Sequence, residues 1–224
     1  MDIEGSVMTQ DGMGAAVRTA EQPVSEAAVA PPRKRPRPGE RRVQILQTLA
    51  TMLEHPRGEK ITTAALAARL DVSEAALYRH FASKAQMFEG LIEFIEQTIF
   101  GLINQIVAKE EQGMRQLHDM VCMLLSFAEK NPGMTRVLIG EALVNEDDRL
   151  HERINQLLDR IESSLKQALR IGISQQRWSA EMDAAARASL ILSTIIGRWH
   201  RYAKSGFRRS PSAGLDDALQ VLLA

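Results

Sequence analysis

The residues whose types and spacing best suit chemistry lie between Thr62 and Lys84. Thr62-Thr63 supplies helix-starting side chains ahead of Ala64–Leu70, Asp71-Val72-Ser73 breaks the run, and Glu74–Phe81 follows as a second short helix. Two short helices around a tight turn form a helix-turn-helix. Its second helix lies in a DNA major groove with its first residues toward the bases. Ser73, Ala75 and Ala76 are small enough to permit close approach to a duplex. Tyr78, His80 and Lys84 can donate to phosphates, and so can backbone N–H groups at helix starts. With Thr62, Thr63 and Glu74 these residues form the candidate DNA-binding set. Phe81 shares a face with Leu77 and is expected in the core, whereas Arg79 points away and is expected to be solvated.

Other chemistries fail on spacing. His151-Glu152 opens like H-E-x-x-H, but position 155 is Asn. His55, His118 and His200 have no strong ligand pattern around them. Glu146-Asp147-Asp148 is better read as the first turn of a helix than as a metal cluster. No metal or cofactor is expected, and no Gly-rich phosphate loop, triad or paired-carboxylate motif argues for an enzyme. Cys122, the single cysteine, excludes an intrachain disulfide and fits a reduced, cytoplasmic setting. Between Val121 and Met123 it reads as a buried small hydrophobe.

The elements that position these residues are all helical. Aromatics are 4% of the 224 residues, and Ala and Leu dominate, which favours helix over strand. Leu46, Leu49, Ala50 and Leu53 mark a first helix, stopped by His55-Pro56-Arg57-Gly58. Ser83 and Gln86 match a capping box opening a long fourth helix, Lys84 to about Lys109. A fifth runs from about Met114 to Lys130, where Asn131-Pro132-Gly133 stops it, and a sixth from about Met134 to Leu143. Asn145 caps a seventh, with Leu158, Ile161 and Leu165 on its apolar side. An eighth presents Ala188, Leu192, Ile195 and Trp199, and a last covers Leu215–Leu223. No apolar run reaches the ~18 residues that cross a bilayer, and no signal pattern opens the chain.

Charge is unevenly spread although the total is zero. Residues 33–84 carry eleven basic and five acidic side chains, residues 1–32 one and five, and residues 85–224 sixteen and eighteen. The positive segment calls for a polyanionic partner. Residues 1–40 mix Gly, Pro, Ala and single charges without period, as in a disordered extension that ends in the basic arm Arg33–Pro38. The expected division is therefore 1–40 extension, 41–84 DNA-binding domain, and 85–224 helical domain, for which the resemblance described next implies dimerisation and partner binding.

The stretch ITTAALAARLDVSEAALYRHFASK, Ile61 to Lys84, resembles the DNA-binding domain of TetR-type regulators over about 45 residues. Asp71 departs from that pattern, which has Gly at a turn position that often needs positive φ. Asp tolerates this at about 1 kcal/mol or less. Over residues 40–170, through FAEKNPGMTRVLIGEALVNEDDRLHERINQLLDRIE, the chain is similar to a branch of that family that acts in nucleoid occlusion. The resemblance implies a homodimer on a palindromic site, associated with the nucleoid, that blocks division over the chromosome by binding the C-terminal tail of the division GTPase FtsZ. It places Phe94, Leu102, Met123, Ser126, Lys130 and Asn131 along the tail site, with Leu102 standing where the branch has Arg. It also implies dimerisation by the seventh and eighth helices, with Leu158, Ile161, Leu165, Ala188, Leu192, Ile195 and Trp199 as interface. The competing expectation is a ligand-responsive repressor of the same family, with a cavity in its helical body.

Overall fold

The computed structural model describes residues 39–55 and 61–223. The basic arm, most of the N-terminal extension and the Pro56–Gly58 stop lie outside them. Among the described residues every regular element is helical: α1 Glu40–Leu53, α2 Thr63–Arg69, α3 Glu74–Tyr78, α4 Lys84–Lys109, α5 Gly113–Lys130, α6 Pro132–Leu138, a 3-10 turn Glu141–Leu143, α7 Asp148–Ser174, α8 Ala184–Lys204 and α9 Leu215–Leu223.

Several boundaries move from where sequence puts them. α3 ends at Tyr78 rather than Phe81: His80 and Phe81 N–H both return to the Leu77 carbonyl, at 2.8 and 3.1 Å, so the chain tightens and leaves the helix. The expected sixth helix breaks at Gly140, whose φ of 76° is left-handed, and resumes only as the 3-10 turn. Asn145 does not cap α7. It adopts φ 67°, and Asp147 caps the helix by accepting from Arg149 N–H at 3.1 Å. Glu146 therefore precedes the helix. Cys122 is half-buried, with His118 beside its Sγ at 3.7 Å, not sealed in the core. Burial and the charges of Asp119 and Asp216 push its thiol pKa up.

α5, α7 and α8 form the body, with α4 across α5 and α7. Glycine permits a close crossing of α5 on α7: a Cβ on Gly113 would sit 2.3 Å from the Ala168 carbonyl oxygen of α7. The Gly113 N–H then donates to Gln175 Oε1 at 3.0 Å. α4 is the described helix that is long and apolar enough to cross a bilayer by composition. Here Met87, Phe88, Leu91, Ile92, Ile95 and Ile99 are buried in the core, while Glu89 and Glu93 are exposed.

α1 ties the helix-turn-helix to this body. The Arg136 guanidinium of α6 donates to the Leu53 and His55 carbonyls, at 3.0 and 2.9 Å, meeting acceptors left open at the end of α1. Gly133 lets α6 close on α1, since a Cβ there would lie 1.9 Å from the Ala50 oxygen. These contacts join α1 through α9 within one compact unit.

Candidate nucleic-acid interface and partner groove

The turn between α2 and α3 is built by its own side chains. Thr62 Oγ1 accepts from Ala65 N–H at 3.1 Å and Ser73 Oγ from Ala76 N–H at 3.2 Å, so each short helix has an N-cap. Asp71 takes φ 54°, the left-handed turn conformation, and Val72 N–H returns to the Ala67 carbonyl at 3.1 Å. Leu66, Leu77 and Phe81 are buried beneath. Phe81 is thus a core residue, as its spacing implies. Across the turn Thr63 Oγ1 donates to Glu74 Oε2 at 2.6 Å, which fixes the start of α3 to the start of α2.

The remaining candidates divide. Ser73, Glu74, Ala75, Tyr78 and His80 are exposed and lie on or beside α3, and Ala76 is half-buried. Tyr78 is an exposed large side chain, 45% accessible. Arg42, absent from the sequence-based set, supports the head from behind. Its Nη1 donates to the His80 carbonyl at 2.9 Å while its guanidinium stacks on Phe81, 4.1 Å from the ring centroid. Nothing local in the sequence marks this pair, 38 residues apart. Lys84 is not a free surface cation. Its ammonium pairs with Glu146, both side chains partly buried, and lies over the Phe88 ring. Gln86 Oε1 accepts from a backbone N–H as a capping box requires, but from Ala82 at 2.8 Å, one residue ahead of the cap.

The second group of candidates lies along α4 and α5. Phe94 and Leu102, two helical turns apart, are half-buried; Met123 and Ser126 are also half-buried, and Lys130 is exposed. Phe94 and Asn131 meet in a cleft of about 250 Å³ with Met134. Leu102, Met123, Ser126 and Lys130 are outside that lining. The cleft has a further wall that sequence did not place, Gln47, Ala50 and Thr51 of α1 with Glu54 just after it. Asn131 is oriented by donating from Nδ2 to the Phe127 carbonyl at 2.8 Å.

The third group is internal. Ile161, Leu165, Ala188, Ile195 and Trp199 are at most 1% exposed in the single chain, and Leu192 is 5%. Their apolar faces close this chain's own core. Leu158 alone of the seven is half-buried. The outward side of α8 carries Ala186, Ser189, Leu190, Ser193 and Gly197, all exposed, with Leu190 50% accessible.

A capped helix-turn-helix on a body of long helices is the plan of TetR-type regulators, and residues 58–91 match the model of bacterial regulatory proteins of the tetR family. Residues 111–224 match the SlmA-like model, described as a tetracyclin repressor-like C-terminal domain. The chain belongs to the SlmA family within the TetR-type regulators. It is 49% identical to the nucleoid occlusion factor SlmA of Idiomarina loihiensis over 182 residues, 81% of this chain and 93% of that protein. Against SlmA of Alteromonas mediterranea the identity is 50% over 172 residues, 77% and 88% of the two chains. The fold also matches the FadR regulator of Bacillus subtilis crystallised with stearoyl-CoA, at TM-score 0.68 and 15% identity, covering 81% and 97%. At that identity the likeness is one of fold alone.

Proposed function

We propose that the chain is a dimeric, nucleoid-bound occlusion factor that reads a palindromic DNA site through α2 and α3 and, while on DNA, holds the FtsZ C-terminal tail against α4 and α5 to prevent division-ring assembly. Near 50% identity to SlmA proteins through the body as well as the reading head carries this reading. Residues 41–84 serve as reading head and 85–224 as dimerisation and partner body, with α4 shared between them. Ser73, Ala75 and Ala76 face the bases, and Thr62, Thr63, Tyr78, His80 and Lys84 face the phosphates. Glu74 holds Thr63 in place.

Two copies are needed, because a palindrome is read by a twofold protein. The interface is the outward face of α8, Ala186, Ser189, Leu190, Ser193 and Gly197, with Leu158 of α7. Small residues at helical spacing let a partner helix approach, and Leu190 supplies apolar area.

For the tail, Phe94 and Met123 offer apolar contact, Ser126 leaves room, Asn131 orients the backbone, and exposed Lys130 meets acidic groups. Leu102 replaces one charge contact with an apolar one. Lys130→Glu tests the site, since an exposed helix-end charge barely affects folding. Fluorescence anisotropy with a labelled FtsZ tail peptide at low salt should show weakened peptide binding and unchanged DNA binding. No peptide binding by the wild type, with or without DNA, would overturn the reading in favour of a ligand-responsive repressor.

A further inference from the structure

Lys84 and Glu146 are 62 residues apart in sequence, yet their charges meet between the first turn of α4 and the turn before α7. Glu146 is placed for this by its backbone: Asn145 takes φ 67°, and Glu146 N–H donates to the Leu143 carbonyl at 3.0 Å. The two acidic neighbours are otherwise engaged or turned out. Asp147 caps α7 and pairs with Arg149 at 2.9 Å, and Asp148 is exposed. One carboxylate of the three is therefore directed back at the reading head.

We infer that Glu146 is a built-in competitor for the DNA backbone: it holds the Lys84 ammonium in the free protein and must release it before Lys84 can neutralise a phosphate. The inference rests on the DNA-binding reading above. Ser83 starts α4 immediately after the helix-turn-helix, which sets Lys84 at the edge of the reading head. A lysine ammonium on a flexible four-carbon stem can serve either anion, and it cannot serve both fully. Side-chain exposures of 25% for Lys84 and 15% for Glu146 leave the pair less screened than a surface ion pair, yet within reach of solvent. The cost of breaking it is charged to every binding event whatever the base sequence. Glu146 therefore lowers overall DNA affinity without altering sequence preference, and it damps the salt dependence that Lys84 would otherwise add.

The test compares wild type, Glu146→Gln, Lys84→Ala and the double variant in mobility-shift titrations across salt, on a palindromic site selected with the wild-type protein and on a random duplex. Glu146→Gln should bind both duplexes about threefold to tenfold tighter at low salt, and its slope of log affinity against log salt should steepen by up to about 0.9. The gain should vanish in the Lys84→Ala background, where removing Glu146 has nothing to release. A gain that persists without Lys84 would show general repulsion instead and overturn the inference. So would unchanged or weaker binding by a folded Glu146→Gln protein, with folding checked by far-UV circular dichroism. Failure of the wild type to bind any duplex would instead refute the DNA-binding reading itself.

Discussion

Gly197 offers a substitution that separates folding from the proposed dimerisation. It lies on the outward side of α8, and a Cβ built there meets no atom within 4 Å in the single chain. Gly197→Glu thus causes no clash in the isolated chain. It also removes a helix-interior glycine, which favours α8 by about 0.5–1 kcal/mol. In the proposed dimer the same carboxylate is caught between two helices near its symmetry mate. A charge buried without a partner costs about 3–5 kcal/mol, which weakens dimerisation by two to nearly four decades. Sedimentation equilibrium at micromolar protein should show monomers, and circular dichroism should show full helicity with a melting temperature set by the monomer. Affinity for a palindromic duplex should fall with dimer loss, while binding to a half-site should persist. An undiminished dimer would place the interface elsewhere. A monomer that has lost its helicity would show that Gly197 belongs to the chain's own fold. Ile195→Asp makes the contrast, because Ile195 is 1% exposed and its substitution should unfold the chain rather than dissociate it.

Gly133→Ala places a methyl 1.9 Å from the Ala50 oxygen, a backbone atom that cannot yield without moving α1. The expected loss of about 2–3 kcal/mol lowers the melting temperature by about 5–10 °C in a scanning calorimeter, and an unchanged value would refute the close α1–α6 approach. Asp183 caps α8 by accepting from Ala185 and Ala186 N–H at 2.8 and 3.2 Å, and those bonds hold its carboxyl below the ordinary pKa. Its contribution is therefore present above the unfolded carboxylate value and is lost as pH falls through the lowered folded one. Asp183→Ala should lower the melting temperature at neutral pH and flatten its decline below about pH 4, whereas a parallel acid limb would remove Asp183 from that decline.

The helix-turn-helix was legible because its determinants are local. Thr62 and Ser73 cap their own helices, and Asp71 takes the left-handed turn that its position calls for. Apolar periodicity also marked the buried faces of α7 and α8 correctly as faces, but it does not say what covers them. Ile161, Leu165, Ile195 and Trp199 are covered by this chain, and the outward side of α8 sets one leucine, Leu190, among small residues, too little apolar area for hydropathy to mark it as a face. The α1 wall of the cleft, Arg42 on the His80 carbonyl and Glu146 on Lys84 join residues tens of positions apart. No local pattern encodes such pairings, and each depends on how the helices dock.

These long-range contacts share two helices. α1 holds the His80 carbonyl through Arg42 near its start and lines the cleft with Gln47, Ala50 and Thr51 further along. α4, 26 residues and about 39 Å long, carries Lys84 at its start and Phe94 three turns on. Two walls of the cleft are therefore continuous with the reading head, and the third, Asn131 and Met134, is fixed to α1 by Arg136 and Gly133. α1 and α4 thus run from the reading head to the walls of the cleft, so displacing the head would also displace those walls. Under the proposed function linkage is reciprocal: whatever factor DNA applies to tail-peptide affinity, the peptide applies to DNA affinity. In the proposed occlusion role, a coupling that favours both ligands would let a tail bound along α4 and α5 hold the factor on the chromosome.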